Sequence, residues 1–264
     1  MPTSFSLRRA MAALTLTCAL FVGTPPAHAA EPHVVASLPP IHSLVARLLQ
    51  GVAKPDLLMS SHVAGHLVEL SPTQVQALRQ ADLVIWSGAD LEGAIAEAGM
   101  VMPDLSARTL TLSNQIPVLD VVTADNPDQP SGRRDLRFWL DPRLVHHALH
   151  IIVPALVRLY PAATDTILDN EIALMHEVHH IEHTVRIALD TPEGTPVHMR
   201  AGDLRYLEWR FNLTQQGCAA NSFDPIGFGL SAGPALYARL MDSARDTLLA
   251  CQKRKVAARD GRSG

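Results

Sequence analysis

Hydrophobic and polar positions follow two different periods along the first half of the chain. Short apolar runs rich in β-branched residues are typical of buried strands, and each run is followed by a segment with the 3.6-residue period of a helix. The predicted strands cover residues 33–37, 56–60, 82–87 and 108–112, and the predicted helices cover 43–51, 72–81 and 91–99. Strands that alternate with helices indicate a parallel sheet covered on both faces.

The middle of the chain changes to long helical patterns. Residues 123–135 are polar and predict a loop. A helix is predicted from Pro142 to Leu159, and Asp141 is placed to act as its N-cap. The next helix begins at Pro161, and its period continues to about residue 189. At roughly thirty residues it would span about 40 Å, so we expect a rigid strut between two lobes.

The α/β pattern restarts on a smaller scale after this helix. It predicts a strand at 196–200, a helix at 204–213, a last helix at 233–250 and a frayed tail. We therefore expect an α/β fold of two Rossmann-like lobes joined by one long rigid helix. The expected boundaries are 30–158 for the N-terminal lobe, 159–190 for the connecting helix and 191–264 for the C-terminal lobe.

The first 29 residues predict a secretory signal peptide. Arg8 and Arg9 precede an apolar run at 10–22, and Ala27-His28-Ala29 offers small residues for cleavage. The apolar run is too short for a membrane span. We therefore expect export to the periplasm, with about 235 residues left for one large or two small domains.

Composition narrows the expected partners and chemistry. Removal of the two N-terminal arginines leaves 20 basic residues against 26 acidic ones, a net charge of −6, so nucleic acid is not an expected partner. The stretch HEVHH at 176–180 has the spacing of H-E-x-x-H, and GLSAG at 229–233 has the spacing of G-x-S-x-G, but no completing ligand or triad accompanies either one in the sequence pattern. A phosphate loop is absent, so we do not expect an enzyme. Cys218 and Cys251 remain after cleavage, and in an oxidising periplasm they predict one disulfide, with two buried thiols as the alternative.

Several segments of the chain resemble the zinc- and manganese-uptake solute-binding proteins of ABC transporters, the ZnuA-like group of the metal-binding cluster A-I family. The matching segments are VVASLPPIHSLVARLLQG, GHLVELSPTQVQALRQADLVIWSGADLE, RFWLDP, HMRAGDLRYLEWRFNL and DPIG. The likeness covers nearly the whole chain after the signal peptide. It implies a two-lobed periplasmic protein that holds a divalent metal ion between its lobes and delivers it to a permease in the inner membrane.

The resemblance also implies a metal site of three histidines and one carboxylate, of which this chain keeps two. His66 and Asp224 match the first histidine and the carboxylate, whereas Arg137 and Ala201 stand where the other two histidines belong. A guanidinium has no lone pair to offer and opposes a nearby cation. Arg137 could pair with Asp224 in place of the metal, or it could swing outward and leave room for another ligand.

Two other histidines are candidate substitutes for the missing ligands. His198 lies three residues before Ala201 at the end of a predicted strand, and His62 lies four residues before His66. The alternative for each is an ordinary structural or solvated histidine. Asp224 also has a structural alternative, because Asp-Pro readily starts a turn. We take His66, Asp224 and His198 as the candidate metal ligands.

The C-terminal lobe is expected to be truncated relative to the family. Only ten residues separate Leu213 from Asp224, where the family has further strands and helices, and one β–α–β unit needs roughly 30 residues. Cys218 and Cys251 match a cysteine pair of the family, and their disulfide would fasten the last helix to this small lobe.

The stretch MHEVHHIEH on the long helix raises a separate possibility. His176 and His180 are four residues apart, as are His179 and His183, so each pair shares one helix face. Interleaved glutamates favour a solvated face, and the alternative is a weak surface metal site. His146, His147 and His150 on the preceding helix offer the same two readings.

These patterns together predict a periplasmic metal-binding component of an ABC importer, a monomer whose partners are a divalent ion and a permease. We expect zinc, with manganese as the alternative, at low occupancy because the ligand set is incomplete. A second hypothesis is a paralogue that binds no metal in the cleft and acts as an accessory protein. A third hypothesis, from another class, is a metal-dependent hydrolase.

Overall fold

Four short parallel strands form the central sheet of the fold. The structure is a computed structural model that describes residues 31–60, 69–123, 126–189, 205–211 and 223–260. The strands are β1 (Val34–Ala36), β2 (Asp56–Leu57), β3 (Leu83–Trp86) and β4 (Thr109–Thr111), in the spatial order β2-β1-β3-β4. All neighbouring pairs are parallel, which confirms the predicted α/β class.

Side chains that alternate along the strands fill two cores, one on each face of the sheet. Val34, Ala36 and Ile85 belong to the larger core, whereas Val35 and Val84 belong to the smaller one. This is the two-residue period of a strand that is buried on both faces. The smaller core is closed by the second and third helices of the chain, and the larger one by the first helix and the long helices described below.

The helices between the strands lie close to their predicted positions. They are α1 (Pro39–Leu48), α2 (Pro72–Gln80) and α3 (Gly93–Val101). At the start of α2 the Gln74 backbone N–H donates to the Ser71 hydroxyl, and the Ser71 N–H donates to Gln74 Oε1. This reciprocal capping explains why the helix begins at Pro72, as the sequence predicts.

The predicted polar loop at 123–135 is wrong, because most of it forms a hairpin. Strand β5 (Leu119–Thr123) pairs antiparallel with β6 (Asn126–Asp135), with Leu119 opposite Asp135. The pattern of apolar residues gives no sign of this pair, and its register shifts twice, at Asp120/Val122 and at Val122/Thr123. A two-stranded hairpin with polar residues can form where neighbouring elements hold its backbone.

The long helices are confirmed. Helix α4 (Pro142–Leu159) is followed by a 3₁₀ turn at Pro161–Ala163 and then by α5 (Thr164–Leu189), which has 26 residues. Buried positions on α5, among them Ile167, Leu174 and Val178, join the larger core. Helix α5 therefore packs along α1 and α4 as part of the core.

The remaining α-helices in the described residues are α6 (Arg205–Phe211) and α7 (Leu236–Asp260), and short 3₁₀ helices lie at Pro103–Arg108, Leu112–Asn114 and Phe138–Leu140. The predicted frayed tail is wrong at its start, because α7 continues through residues 251–260, a stretch rich in strong helix formers such as Lys, Arg and Ala. The predicted signal peptide and the predicted strand at 196–200 lie outside the described residues. The expected lobe boundaries and the truncation of the second lobe remain predictions.

No single helix in the described ranges is long and apolar enough to cross a membrane. Helices α4 and α5 reach that length and composition only as a pair, and the pair is bent by 118°.

Candidate metal centre

The candidate centre is built around the carboxyl edge of the parallel sheet, the edge at which the strands end and ligands commonly bind in α/β folds. Arg134 fastens β6 to this edge: its Nε lies 2.7 Å from Asp90 Oδ2, and its Nη1 donates to the Ser113 carbonyl at 3.4 Å. Asp90 follows β3 and Ser113 follows β4. The end of β6, which leads into Arg137, is therefore held near the sheet edge.

Arg137 is fixed by an acid that the sequence analysis missed. Its Nε donates to Asp135 Oδ1 at 2.8 Å, and its Nη2 donates to Asp135 Oδ2 at 2.9 Å. The Arg137 backbone N–H donates to the same Oδ1 at 3.1 Å. Both side chains are largely buried, with exposed fractions of 16% and 3%. Neither expected arrangement is what the structure shows, since the guanidinium pairs with Asp135 rather than with Asp224 or open solvent.

Asp224 organises a turn with its carboxylate. Its Oδ1 accepts from the Ile226 N–H at 2.9 Å, and its Oδ2 accepts from the Gly229 N–H at 3.3 Å. The Gly227 N–H donates to the Asp224 carbonyl at 3.2 Å, and Gly227 itself has a φ of 77°. These contacts are the structural role that the Asp-Pro pair allowed. A carboxylate has about four acceptor positions, so two backbone contacts leave capacity for a cation.

One hydrogen bond brings the segments of Arg137 and Asp224 together. The indole Nε1 of Trp139 donates to the Pro225 carbonyl at 2.7 Å. Trp139 lies two residues after Arg137, and Pro225 follows Asp224. Trp139 is fully buried, so this contact lies inside the core. The structure thus confirms that these two segments are neighbours.

Tyr206 on α6 holds the hairpin from the other side. The Leu119 N–H donates to the Tyr206 hydroxyl at 2.9 Å, and that hydroxyl donates to the Asp135 carbonyl. Burial raises the pKa of Tyr206, so the hydroxyl keeps its proton. This bridge couples α6 to the strand that ends at Asp135, the partner of Arg137.

The other predicted ligands lie outside the described residues. These are His66, His198 and the alternative His62; Ala201 and Cys218 lie there too, and the side chain of Cys251 is likewise not described. The disulfide therefore remains a prediction. Within the described ranges, no group of three His, Cys, Asp or Glu side chains is placed to hold a metal ion.

A buried ion network lies behind the candidate centre. Asp141 caps α4, as predicted, by accepting from the Arg143 N–H at 2.9 Å. Its Oδ1 also lies 3.5 Å from Arg210 Nε, and Arg210 donates to Glu182 on α5. Burial raises the pKa of Asp141, and the Arg143 N–H and the Arg210 charge oppose this rise. Burial also favours a raised pKa for Glu182, but its arginine partners lower it below the ordinary value.

The histidines of α5 lie on its solvent side. His176, His179, His180 and His183 are all exposed. On α4, His146 is half-buried, and burial lowers its pKa, with the nearby His150 and His179 acting in the same direction. His150 Nδ1 lies 3.5 Å from Glu171 Oε1. The exposure agrees with a solvated face, and metal binding by these histidines stays a hypothesis.

The chain matches one protein family over most of its length. Residues 34–250 match the family described as zinc-uptake complex component A, periplasmic. The high-affinity zinc uptake system protein ZnuA of Paracoccus denitrificans is 29% identical over 119 residues, a match that covers 45% of this chain and 34% of that relative. The chain thus aligns with about one third of that relative's length.

A second relative and a solved structure extend the likeness. The ZnuA protein of Yersinia pestis is 24% identical over 215 residues, covering 73% of this chain and 67% of the relative. The structure of the periplasmic zinc-binding protein TroA from Treponema pallidum superimposes with a TM-score of 0.65 at 18% identity, covering 84% of this chain and 99% of that one. This likeness confirms the fold.

Proposed function

The chain belongs to the periplasmic zinc-uptake complex component A family, and from that premise we propose that it is the metal-binding receptor of a zinc-type ABC importer. The family match over residues 34–250 is the observation that carries this proposal. The names of the two ZnuA relatives and of TroA support zinc as the cargo. Family members are solute-binding proteins, which fits the expectation that the chain is not an enzyme.

We place the cargo ion at the carboxyl edge of the sheet, with His66, Asp224 and His198 as its ligands. Asp224 supports this placement, because its segment is held against that of Arg137 by the Trp139–Pro225 hydrogen bond and its carboxylate keeps free acceptor capacity. Zinc normally takes three or four ligands of this kind. Two histidines and one carboxylate form an open site, which a water molecule would complete.

We propose that zinc affinity is weakened relative to a complete family member. The guanidinium of Arg137 stands where the family has a ligating imidazole, and Asp135 holds it there with two hydrogen bonds. Asp135 neutralises part of the Arg137 charge. The missing nitrogen ligand therefore lowers zinc affinity more than the repulsion between the guanidinium and the ion does. Low occupancy by zinc, with manganese as the alternative, follows from this ligand set.

We further propose where the protein acts and what its partners are. The predicted signal peptide supports delivery to the periplasm, where the protein would act as a monomer and pass its ion to a permease. The fixed Arg137–Asp135 pair also favours one alternative, an accessory protein that binds no metal in the cleft. A metal-dependent hydrolase remains the third hypothesis. The H-E-x-x-H spacing of His176, Glu177 and His180 on α5 favours it, but no three His, Cys, Asp or Glu side chains within the described ranges are grouped to hold a metal ion.

Zinc titration of the mature protein, residues 30–264, tests the proposal. Calorimetry is expected to show one saturable zinc site, and His66→Ala should weaken it at least tenfold, about 1.4 kcal/mol. Asp224→Asn should weaken it in the same direction while keeping an acceptor for the Ile226 N–H. A quadruple variant with glutamine at positions 176, 179, 180 and 183 is the control, because it removes only exposed histidines.

The outcomes separate the hypotheses. Loss of the saturable site in His66→Ala, with the quadruple variant unchanged, supports the receptor. If the wild-type protein shows no saturable site, or if only the quadruple variant loses zinc, the accessory-protein hypothesis replaces it. Zinc-dependent turnover of ester or amide substrates would favour the hydrolase.

A further inference from the structure

Glu92 is a buried carboxyl group at the same edge of the sheet, outside the proposed ligand set. It follows β3, and its residue exposure is 2%. Ser37, which follows β1, and Ser87, which follows β3, interact with this carboxyl group, and both are 0% exposed. Ser113, which follows β4 and is 5% exposed, donates its backbone N–H to the Ser87 carbonyl at 3.1 Å. The ends of β1 and β3 therefore meet at one acid, and the end of β4 lies beside Ser87.

The two oxygens of Glu92 have different surroundings. Oε2 accepts from the backbone N–H of Ser87 at 2.7 Å and of Gly88 at 3.1 Å, and also from the Ser87 hydroxyl. Oε1 has no hydrogen-bond partner of standard geometry within the described ranges. The Ser37 hydroxyl interacts with the same carboxyl group. Oε2 thus accepts three hydrogen bonds, whereas Oε1 accepts none within the described ranges, and the Ser37 hydroxyl is the remaining polar side chain that interacts with this carboxyl group.

No cation balances this carboxyl group among the described residues that act on it. Those residues are Ser37 from β1, and Ser87 and Gly88 from the loop after β3. The next charges at this edge are Arg134 and Asp90, which are paired with each other at 2.7 Å, and Arg134 also donates to the Ser113 carbonyl. A lone carboxylate in such a place is far more costly to bury than a neutral acid. Burial raises the pKa of Glu92 above its ordinary value, and the hydrogen bonds from Ser37, Ser87 and Gly88 offset only part of this rise.

We propose that Glu92 is a neutral carboxylic acid at pH 7 and joins the ends of β1 and β3 by hydrogen bonds that need its proton. In the neutral form Oε2 accepts from Ser87 and Gly88, and the Oε1 proton is donated to the Ser37 hydroxyl. Ser37 in turn accepts the Met59 N–H on its carbonyl at 2.9 Å, at the start of the segment after β2. Glu92 is therefore a positioning residue for the edge of the sheet where the loops of the candidate centre begin.

The proton on Glu92 makes the stability of the folded protein depend on pH. An acid whose pKa is raised in the folded state binds its proton more tightly there than in the unfolded chain. Its contribution is fully present below the unfolded pKa, near 4.5, and is lost as the pH rises through the folded pKa. Between those two values, the folded-to-unfolded ratio falls by up to about tenfold per pH unit relative to a chain without this proton.

Glu92→Gln is the matched variant, because an amide has the shape of the neutral acid and a donor for Ser37. Urea unfolding from pH 5 to 9 is expected to show wild type losing stability relative to Glu92→Gln as the pH rises. Glu97→Gln, an exposed glutamate on α3, is the control and should follow wild type across the range. Parallel profiles of wild type and Glu92→Gln would overturn the proposal.

A direct measurement covers the case in which Glu92→Gln does not fold. In wild-type protein labelled with ¹³C, the side-chain carboxyl resonance of Glu92, assigned through bonds, should keep the neutral-acid shift at pH 7. Titration of this resonance near pH 4.5 would show an ordinary carboxylate and refute the proposal. Neither readout involves zinc, so its result is independent of the proposed receptor function.

Discussion

The guanidinium of Arg137 and the carboxylate of Asp135 form an ion pair with two hydrogen bonds, 2.8 Å from Nε to Oδ1 and 2.9 Å from Nη2 to Oδ2. In metal sites, a carboxylate that accepts a hydrogen bond from a metal-binding histidine commonly orients its imidazole. Asp135 is therefore placed to accept a hydrogen bond from an arginine or from a histidine at position 137. We propose that the guanidinium of Arg137 stands in place of a ligating imidazole, with the supporting acid Asp135 retained.

We predict that Arg137→His tightens zinc binding by at least tenfold. The new imidazole adds a nitrogen ligand, removes a positive charge, and can donate its other N–H to Asp135. Competition with a zinc-selective chelator at pH 7.5 measures the change. Arg245→His on α7 is the control, since Arg245 pairs with Asp242 and Asp246 away from the centre. Unchanged affinity in Arg137→His would place the zinc site elsewhere.

We predict that Arg137→Met destabilises the protein by about 2–4 kcal/mol, because the variant leaves the buried Asp135 without its cation. Chemical unfolding measures the loss. The double variant Arg137→Met/Asp135→Asn should recover part of it, since an amide is much less costly to bury than an unpaired carboxylate. A double variant as unstable as the single one would show that the two side chains do not act as a pair.

The sequence predicts the sheet and the long helices but not the support of the site. Periodic apolar residues and the Ser71 capping box depend on local spacing, so they can be read along the chain. The Arg137–Asp135 pair lies in a segment predicted as a loop, and the hairpin that presents it is held by Tyr206, distant in sequence. Such contacts depend on tertiary packing, which the spacing of apolar residues along the chain cannot reveal.

The burial of Glu92 likewise cannot be predicted from the sequence alone. In the sequence it is an ordinary acid at the start of a helix, where acids are common. Only the fold shows that the carboxyl is enclosed, with Ser37 and Ser87 beside it and Ser113 hydrogen-bonded to Ser87. The strand ends that form this enclosure come from three separate parts of the chain, so their convergence requires the sheet order.

We predict that Gly88→Ala destabilises the protein by about 2–4 kcal/mol. Gly88 has a φ of 141°, and an added Cβ would lie 2.5 Å from Ser113 Oγ and 3.0 Å from Leu136 Cδ1. Gly99→Ala is the control, because Gly99 lies within α3 with no atom within 4 Å of an added Cβ. This control should be stabilising by about 0.5–1 kcal/mol. Thermal unfolding of both variants checks the opposite signs.

We predict that Arg210→Met costs about 2–4 kcal/mol, because Asp141 and Glu182 lose their shared buried cation. Arg186→Met is the comparison: Arg186 also pairs with Glu182, at 3.0 Å, but is 48% exposed, so its loss should cost under about 1 kcal/mol. Urea unfolding at pH 7 ranks the two variants. Equal losses of stability in the two variants would mean that the burial of an ion pair does not determine how much the pair stabilises the protein.

We predict that His42 makes the protein less stable as the pH falls below about 6.5. Its imidazole is buried in α1, Nε2 lies 3.1 Å from the Pro55 carbonyl, and burial lowers its pKa, while Pro55 and Asp56 oppose this. The unfolded chain then binds the proton more tightly than the folded protein. The stability from neutral His42 is present above the unfolded pKa of 6.5 and is lost as the pH falls through the folded value.

His42→Gln isolates this effect, because glutamine keeps an N–H that can donate to Pro55 but does not titrate. Between pH 7 and 5 the variant should lose less stability than wild type, whereas His147→Gln, which removes an exposed imidazole from α4, should follow wild type. Glu92 contributes a slope of the opposite sign, but it is shared by all three proteins and cancels in the comparison. A His42→Gln stability profile parallel to that of wild type would mean that His42 has the same pKa in the folded protein and in the unfolded chain.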